Sequence, residues 1–141
     1  MACRLLGRRA TTFEVLDEKA TLARETFALT SIDDVVEFIH GDARDHLPSC
    51  EEISFCFLDA EKDIYAECYE AVVPNSTKGG IRVADSAINL EATLWPVLER
   101  ALADDRVDAM VVPLANGDLV CRQLETVEVD LDSAAGRRDR Q

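Results

Sequence analysis

The sequence predicts an α/β protein, a layered sheet with helices against it and a C-terminal antiparallel hairpin forming a mixed edge. Three observations carry that expectation. Strand-like apolar runs alternate with stretches of helical periodicity. Two of the runs, at residues 53–58 and 81–84, are followed at once by an aspartate, Asp59 and Asp85. Near the end, Asn116-Gly117 separates two further β-rich runs, the strongest hairpin cue in the chain. At 141 residues the chain has one-domain length and can bury one ordinary core. The domain is assigned to residues 1–131, with 132–141 as a polar tail.

Thr11-Thr12-Phe13-Glu14-Val15 is β-branched and aromatic and reads as a strand. Residues 16–29 place Leu16, Ala20, Leu22, Ala23 and Phe27 close to helical spacing, so Glu14 stands where a strand passes into a helix. Residues 35–39 form the second strand, ended by His40-Gly41-Asp42. Asp42 then caps a short helix, 43–47, which Pro48 closes. Residues 53–58 are largely apolar, as expected of a parallel strand buried on both faces. Residues 61–72 carry Ile64, Tyr65, Cys68, Tyr69 and Val72 as one stripe of an amphipathic helix, with both tyrosines in the core. Pro74-Asn75-Ser76 and Gly79-Gly80 read as a loop before the strand 81–84. A helix at 90–102 follows, with Pro96 near its first turn or at a kink and Trp95 in the core. Two strands, 107–114 and 119–129, close the domain around residues 115–118.

Charge narrows the function classes. A net charge of −13 repels nucleic-acid phosphates and anionic membranes alike, so neither is expected as a partner. Lysine occurs only at positions 19, 62 and 78 among abundant acids. Such a surface suits a salt-rich cytoplasm, where screening relieves self-repulsion. Five cysteines form no C-x-x-C pair and indicate neither a zinc site nor a disulfide framework; free thiols in a reducing cytoplasm fit better. No apolar run has the length of a membrane span. His40 and His46 have no partner at metal-ligand spacing and read as structural or solvated.

The chemistry-bearing stretch is Phe57-Leu58-Asp59-Ala60-Glu61-Lys62, taken with Val83-Ala84-Asp85-Ser86. Open α/β sheets bind ligands outside the carboxyl ends of their strands, and two acids placed there would share a hard cation such as Mg²⁺. Lys62, three residues past Asp59, would turn its amine back to the same place. The alternative reading is local: an Asp at a strand end caps the next helix, and a Lys soon after it is solvated. Glu14 likewise reads either as a ligand-binding acid or as an acid favoured by a helix N-terminus.

From about Thr12 to Arg122 the order of these motifs resembles the cation-dependent, S-adenosylmethionine-using O-methyltransferases, the family of the catechol and caffeoyl-coenzyme-A enzymes. The pieces are Phe13-Glu14-Val15, Gly41-Asp42-Ala43, Phe57–Lys62 with Tyr65, Gly79-Gly80 before Val83-Ala84-Asp85, and Pro113-Leu114-Ala115-Asn116-Gly117. The resemblance implies a class I methyltransferase-like (Rossmann-like) sheet. It implies that Glu14 holds the donor's ribose, that Asp42 and Ala43 border its adenine, and that Asp59 belongs to both the cofactor and metal sites. Asp59 and Asp85 would hold the metal, with Lys62 as the base that takes the acceptor's hydroxyl proton. The family's third metal ligand is an Asn after the second Asp; here it is Ser86, a shorter and weaker ligand. Family members also carry an earlier strand and a glycine-rich turn. Only nine residues precede the 11–15 run plus its leading Ala10, with no Gly-x-Gly among them, so the chain resembles the C-terminal two-thirds of such an enzyme. The place of that strand, between the Phe13 and Phe57 strands, is expected to be vacant, and homo-oligomerisation is expected to follow. Three readings stand: an O-methyltransferase acting on a small, catechol-like hydroxyl acceptor, a non-catalytic binding or interaction relative, and a truncated copy.

Overall fold

The computed structural model describes residues 2–88 and 91–125. In chain order the elements are α1 (Ala2–Leu6), β1 (Ala10–Glu14), α2 (Asp17–Thr30), β2 (Val36–His40), α3 (Ala43–His46), β3 (Ile53–Leu58), α4 (Tyr65–Val72), β4 (Ser76–Asp85), α5 (Glu91–Leu102), β5 (Val107–Val112) and β6 (Asp118–Gln123). The expected strand–helix alternation and closing hairpin are both present. The strand expected over 119–129 leaves the described residues after 125, as does the tail at 132–141. Helix α1 carries no periodic pattern and was not expected; Arg4 ties it down through Nη2 to Asp34 Oδ1 at 2.6 Å. That pair is exposed, so it contributes little energy.

The strands fall into two sheets. Strands β1 and β2 pair in parallel, and a second sheet runs β3-β4-β6-β5. Within it β3 and β4 are parallel, while β4–β6 and β5–β6 are antiparallel. No described strand lies between β1 and β3, in agreement with the vacancy expected there. Side chains bridge the two sheets instead. Phe13 of β1 packs with Ile53, Cys56 and Leu58 of β3 on a cluster centred on Leu47, Cys68 and Val72, and its ring stacks on His46 at 5.8 Å.

The main core lies between one face of the four-stranded sheet and helices α4 and α5, where Tyr65, Tyr69, Leu94, Val97, Leu98, Leu119 and Cys121 are buried. Both tyrosines are therefore core residues, as expected. Burial pushes the thiols of Cys56 and Cys121 up to about 11, which keeps them protonated and unreactive.

Four expectations need correction. Strand β3 is not buried on both faces: Phe55 and Phe57 are 63% and 58% exposed, because α4 and α5 cover only the opposite side. Trp95 is half exposed rather than core. Helix α4 starts at Tyr65, after a single 3₁₀ turn at Lys62–Ile64. Gly79 and Gly80 belong to β4 and not to a loop. Their pairing with β3 is irregular between Ile53 and Phe55, and a Cβ on Gly80 would meet Thr77 O at 2.8 Å and Ile53 O at 2.9 Å. Gly80 lets the strands approach at a bulge, while Gly79 has open space around it and supplies the left-handed backbone, with φ of 76°.

Candidate active site

Parallel pairing of β3 with β4 sets the geometry. Leu58 is opposite Ala84, so the next residues, Asp59 and Asp85, leave adjacent strand ends side by side, roughly one strand spacing of about 4.8 Å apart. The same end of the sheet brings in an acid that the sequence reading placed in the hairpin loop: Asp118 opens β6 and pairs directly with Asp85. Antiparallel register, which depends on where the hairpin turns, decided its position; Asn116-Gly117 marks the turn but does not count the pairs on either side.

Lys62 reaches back as its spacing suggested. Its Nζ lies 3.3 Å from Asp59 Oδ1 and contacts the hydroxyl of Tyr65, which in turn donates to Leu58 O at 2.9 Å. Tyr65 is fully buried, so the amine rests on a fixed support. Burial pulls the Lys62 pKa down, but the bonds and charges of Tyr65 and Asp59 outweigh it, and the amine is held above its ordinary value. Burial also pushes the Tyr65 phenol up. Lys62 favours the ionised form of Asp85 as well, although the hydrogen bond from Ser86 is the largest cause of that carboxyl's lowered pKa. The groups thus share one electrostatic locale.

Ser86 stands in a left-handed backbone conformation with φ of 68° and donates its hydroxyl to Asp85 Oδ2 at 2.7 Å. The hard oxygen donors here are those of Asp59, Asp85, Ser86 and Asp118. Among the described residues, no three His, Cys, Asp or Glu side chains converge closely enough to enclose an ion by themselves.

The two acids of the smaller sheet lie at the ends of β1 and β2. Glu14 is paired with His40, accepts from Leu16 N–H through Oε1 at 2.8 Å, and through its carbonyl receives Gly41 N–H at 3.0 Å. Asp42 caps α3, accepting from Arg44 N–H at 2.9 Å, and is gripped by the Arg44 guanidinium with Nη2 at 2.6 Å. That side-chain bond, followed by the backbone one, holds the Asp42 carboxyl at about 2. Ala43 is the half-buried residue that follows it, packed against the cluster under β1 and β3. The capping reading of Asp42 and the helix-start reading of Glu14 are both present in this geometry. They leave the carboxylates at one sheet end, where a ligand would also meet them.

The O-methyltransferase family matches residues 7–124. This chain belongs to the O-methyltransferase family. Among solved structures it is similar to the SAH-bound methyltransferase PaMTH1 of Podospora anserina, at 22% identity and TM-score 0.76, covering 83% of this chain and 61% of that one. A putative caffeoyl-CoA O-methyltransferase from Staphylococcus aureus matches at 14% identity and TM-score 0.74, over 82% and 64% of the two chains. The O-methyltransferase TomG from Streptomyces achromogenes, in complex with SAM, matches at 19% identity and TM-score 0.72, over 83% and 62%. These likenesses show the class I methyltransferase fold, and this O-methyltransferase-family chain spans rather more than three-fifths of each neighbour's length. Comparison with curated proteins gives no match. No described helix is long and apolar enough to cross a membrane.

Proposed function

We propose that the chain serves S-adenosylmethionine-dependent, divalent-metal-assisted methyl transfer to a small, catechol-like hydroxyl acceptor in the cytoplasm. One observation carries the reading: Asp59 and Asp85 end adjacent parallel strands with the Lys62 amine beside the first of them. Hard cations such as Mg²⁺ use one or two protein carboxylates and complete their shell with water and substrate, and the oxygens of Asp59, Asp85 and Ser86 fit that pattern. A cation so held would supply Lewis acidity that lowers the pKa of an acceptor hydroxyl.

The chain's own residues have separable tasks. Asp59 orients the Lys62 amine, and Tyr65 supports it from below. Nζ of Lys62 is the atom that would receive the hydroxyl proton. In the arrangement described it is held protonated, so it acts as a base only where added positive charge opposes that form. Glu14 and Asp42 suit the hydroxyls and adenine edge of the donor. Holding donor and acceptor in register would supply most of the rate.

Calorimetric titration with S-adenosylmethionine tests the donor site: saturable heat that Glu14→Ala abolishes supports it, and no heat at millimolar donor overturns it. Transfer of labelled methyl to catechol in the presence of Mg²⁺, lost in Lys62→Ala, tests the chemistry. A second reading has its own observation. Ser86, a weaker ligand than an amide carbonyl, donates its hydroxyl to Asp85 Oδ2 at 2.7 Å. That favours a non-catalytic relative that uses the fold as a binding or interaction module, which would bind donor or partner and transfer no methyl group.

A further inference from the structure

The Asp42 carboxylate is engaged on both oxygens by one neighbour. Its Oδ1 accepts from Arg44 N–H at 2.9 Å and from Arg44 Nε at 3.1 Å, and its Oδ2 accepts from Nε at 3.1 Å and from Nη2 at 2.6 Å. A carboxylate offers about four lone-pair sites, so these contacts leave no acceptor position for a ligand's amino group. The guanidinium has a second partner at hand, because its Nη1 lies 3.2 Å from Glu67 Oε2 on α4. None of the three side chains is buried: Arg44, Asp42 and Glu67 are 39%, 29% and 62% exposed. Water and Glu67 therefore serve the guanidinium whenever it leaves Asp42.

We propose that Arg44 gates the adenine end of the donor site, competing with the adenine amino group for the Asp42 carboxylate and swinging to Glu67 when the donor enters. The inference rests on the reading of Asp42 as the acid that meets adenine, and adds to it a residue that works against binding. The exchange is confined to side chains. The Arg44 N–H bond that caps α3 stays in place, and only the guanidinium fork gives way. Its size follows from exposure: a solvated ion pair favours its closed form by about two- to fivefold. That leaves about one molecule in three to one in six open, and a ligand that needs the open form binds more weakly by that fraction. The clamp therefore lowers donor affinity about three- to sixfold.

Isothermal titration of the whole chain with S-adenosylhomocysteine tests the gate. This demethylated donor carries the adenine and, with one ammonium and one carboxylate, no net charge, so the loss of an arginine does not attract it by charge alone. The expected result is saturable binding to the unaltered chain and binding about three- to sixfold tighter in Arg44→Ala. Adding Asp42→Asn to Arg44→Ala should remove the gain, because asparagine keeps the cap of α3 but replaces one carboxylate oxygen with an amide nitrogen that cannot accept from adenine. If Arg44 only held Asp42 in place, its removal would weaken binding instead. Circular dichroism confirms that both variants are folded. Equal or weaker binding by Arg44→Ala overturns the gate and leaves the donor site standing, as does a gain that survives Asp42→Asn. No heat from any of the three proteins overturns the donor site and the gate with it.

Discussion

Asp104→Ala tests how α4, the helix that carries Tyr65 beneath the candidate site, is fastened to the rest of the domain. The Asp104 side chain is 3% exposed. Its carboxylate accepts from Tyr69 Oη at 2.9 Å, from Arg106 N–H at 2.9 Å, and from the Arg106 guanidinium through Nη2 at 2.7 Å. Arg106 and Arg100 both continue to Glu70 on α4, at 3.1 and 2.7 Å. Breaking a buried ion pair from one side costs about 3–5 kcal/mol. Arg106 is about one-third exposed and keeps Glu70, which places the expected loss near the lower figure, about 3 kcal/mol. For a chain of this size that lowers Tm by roughly 10 °C. The pH dependence has a definite sign. The Arg106 guanidinium holds the Asp104 carboxyl well below the usual carboxylate range, against the opposing effect of burial. A depressed folded-state pKa contributes stability that is full above the unfolded value of about 3.9 and is lost as pH falls through the folded one. Thermal unfolding followed by circular dichroism should therefore show the full gap between the two proteins at about pH 6, narrowing steadily below about pH 4. A Tm loss under about 2 °C, or a gap that stays constant or widens on acidification, would refute the reasoning.

Two further outcomes follow from the same balance of charge and burial. Arg82 is 7% exposed and bonds Ser76 Oγ at 2.7 Å, while its Nε and Nη2 have no hydrogen-bond partner among the described residues. Replacing such a buried charge with a long apolar side chain is neutral or stabilising by about 1–4 kcal/mol, so Arg82→Met should raise the urea midpoint; an unfolding free energy lowered by more than about 1 kcal/mol would show that the guanidinium is better served than its bonds indicate. With a net charge of −13, stability should rise as KCl increases towards about 1 M through screening; a falling Tm over that range would contradict the expectation of a salt-adapted surface.

The parts of the site that were legible in the sequence are those that local spacing determines. Asp59 and Asp85 each follow directly on an apolar run, and Lys62 is three residues on, so strand ends and a returning amine could be read without a fold. Asp118 could not, because its place beside Asp85 depends on hairpin register. Gly79-Gly80 reads as a loop for the same reason that it serves a bulge: glycine permits close approach and unusual backbone, and the sequence does not say which is used. The run Ile53–Leu58 looks like a strand buried twice over, yet an apolar pattern reports what a residue can bury and not whether anything arrives to cover it. The exposed Phe55 and Phe57 are the consequence. Helix α1 escaped notice because five residues are too few for periodicity to show.

Titration with Mn²⁺, followed by electron paramagnetic resonance and competed with Mg²⁺, tests most directly whether the two strand-end acids act as one site. One ion should bind and be displaced by Mg²⁺; Asp59→Asn and Asp85→Asn should each weaken it at least tenfold, and Asp108→Asn should not. Mn²⁺ binding indifferent to both Asp59→Asn and Asp85→Asn, or no binding at all, would contradict a shared cation site beside Lys62.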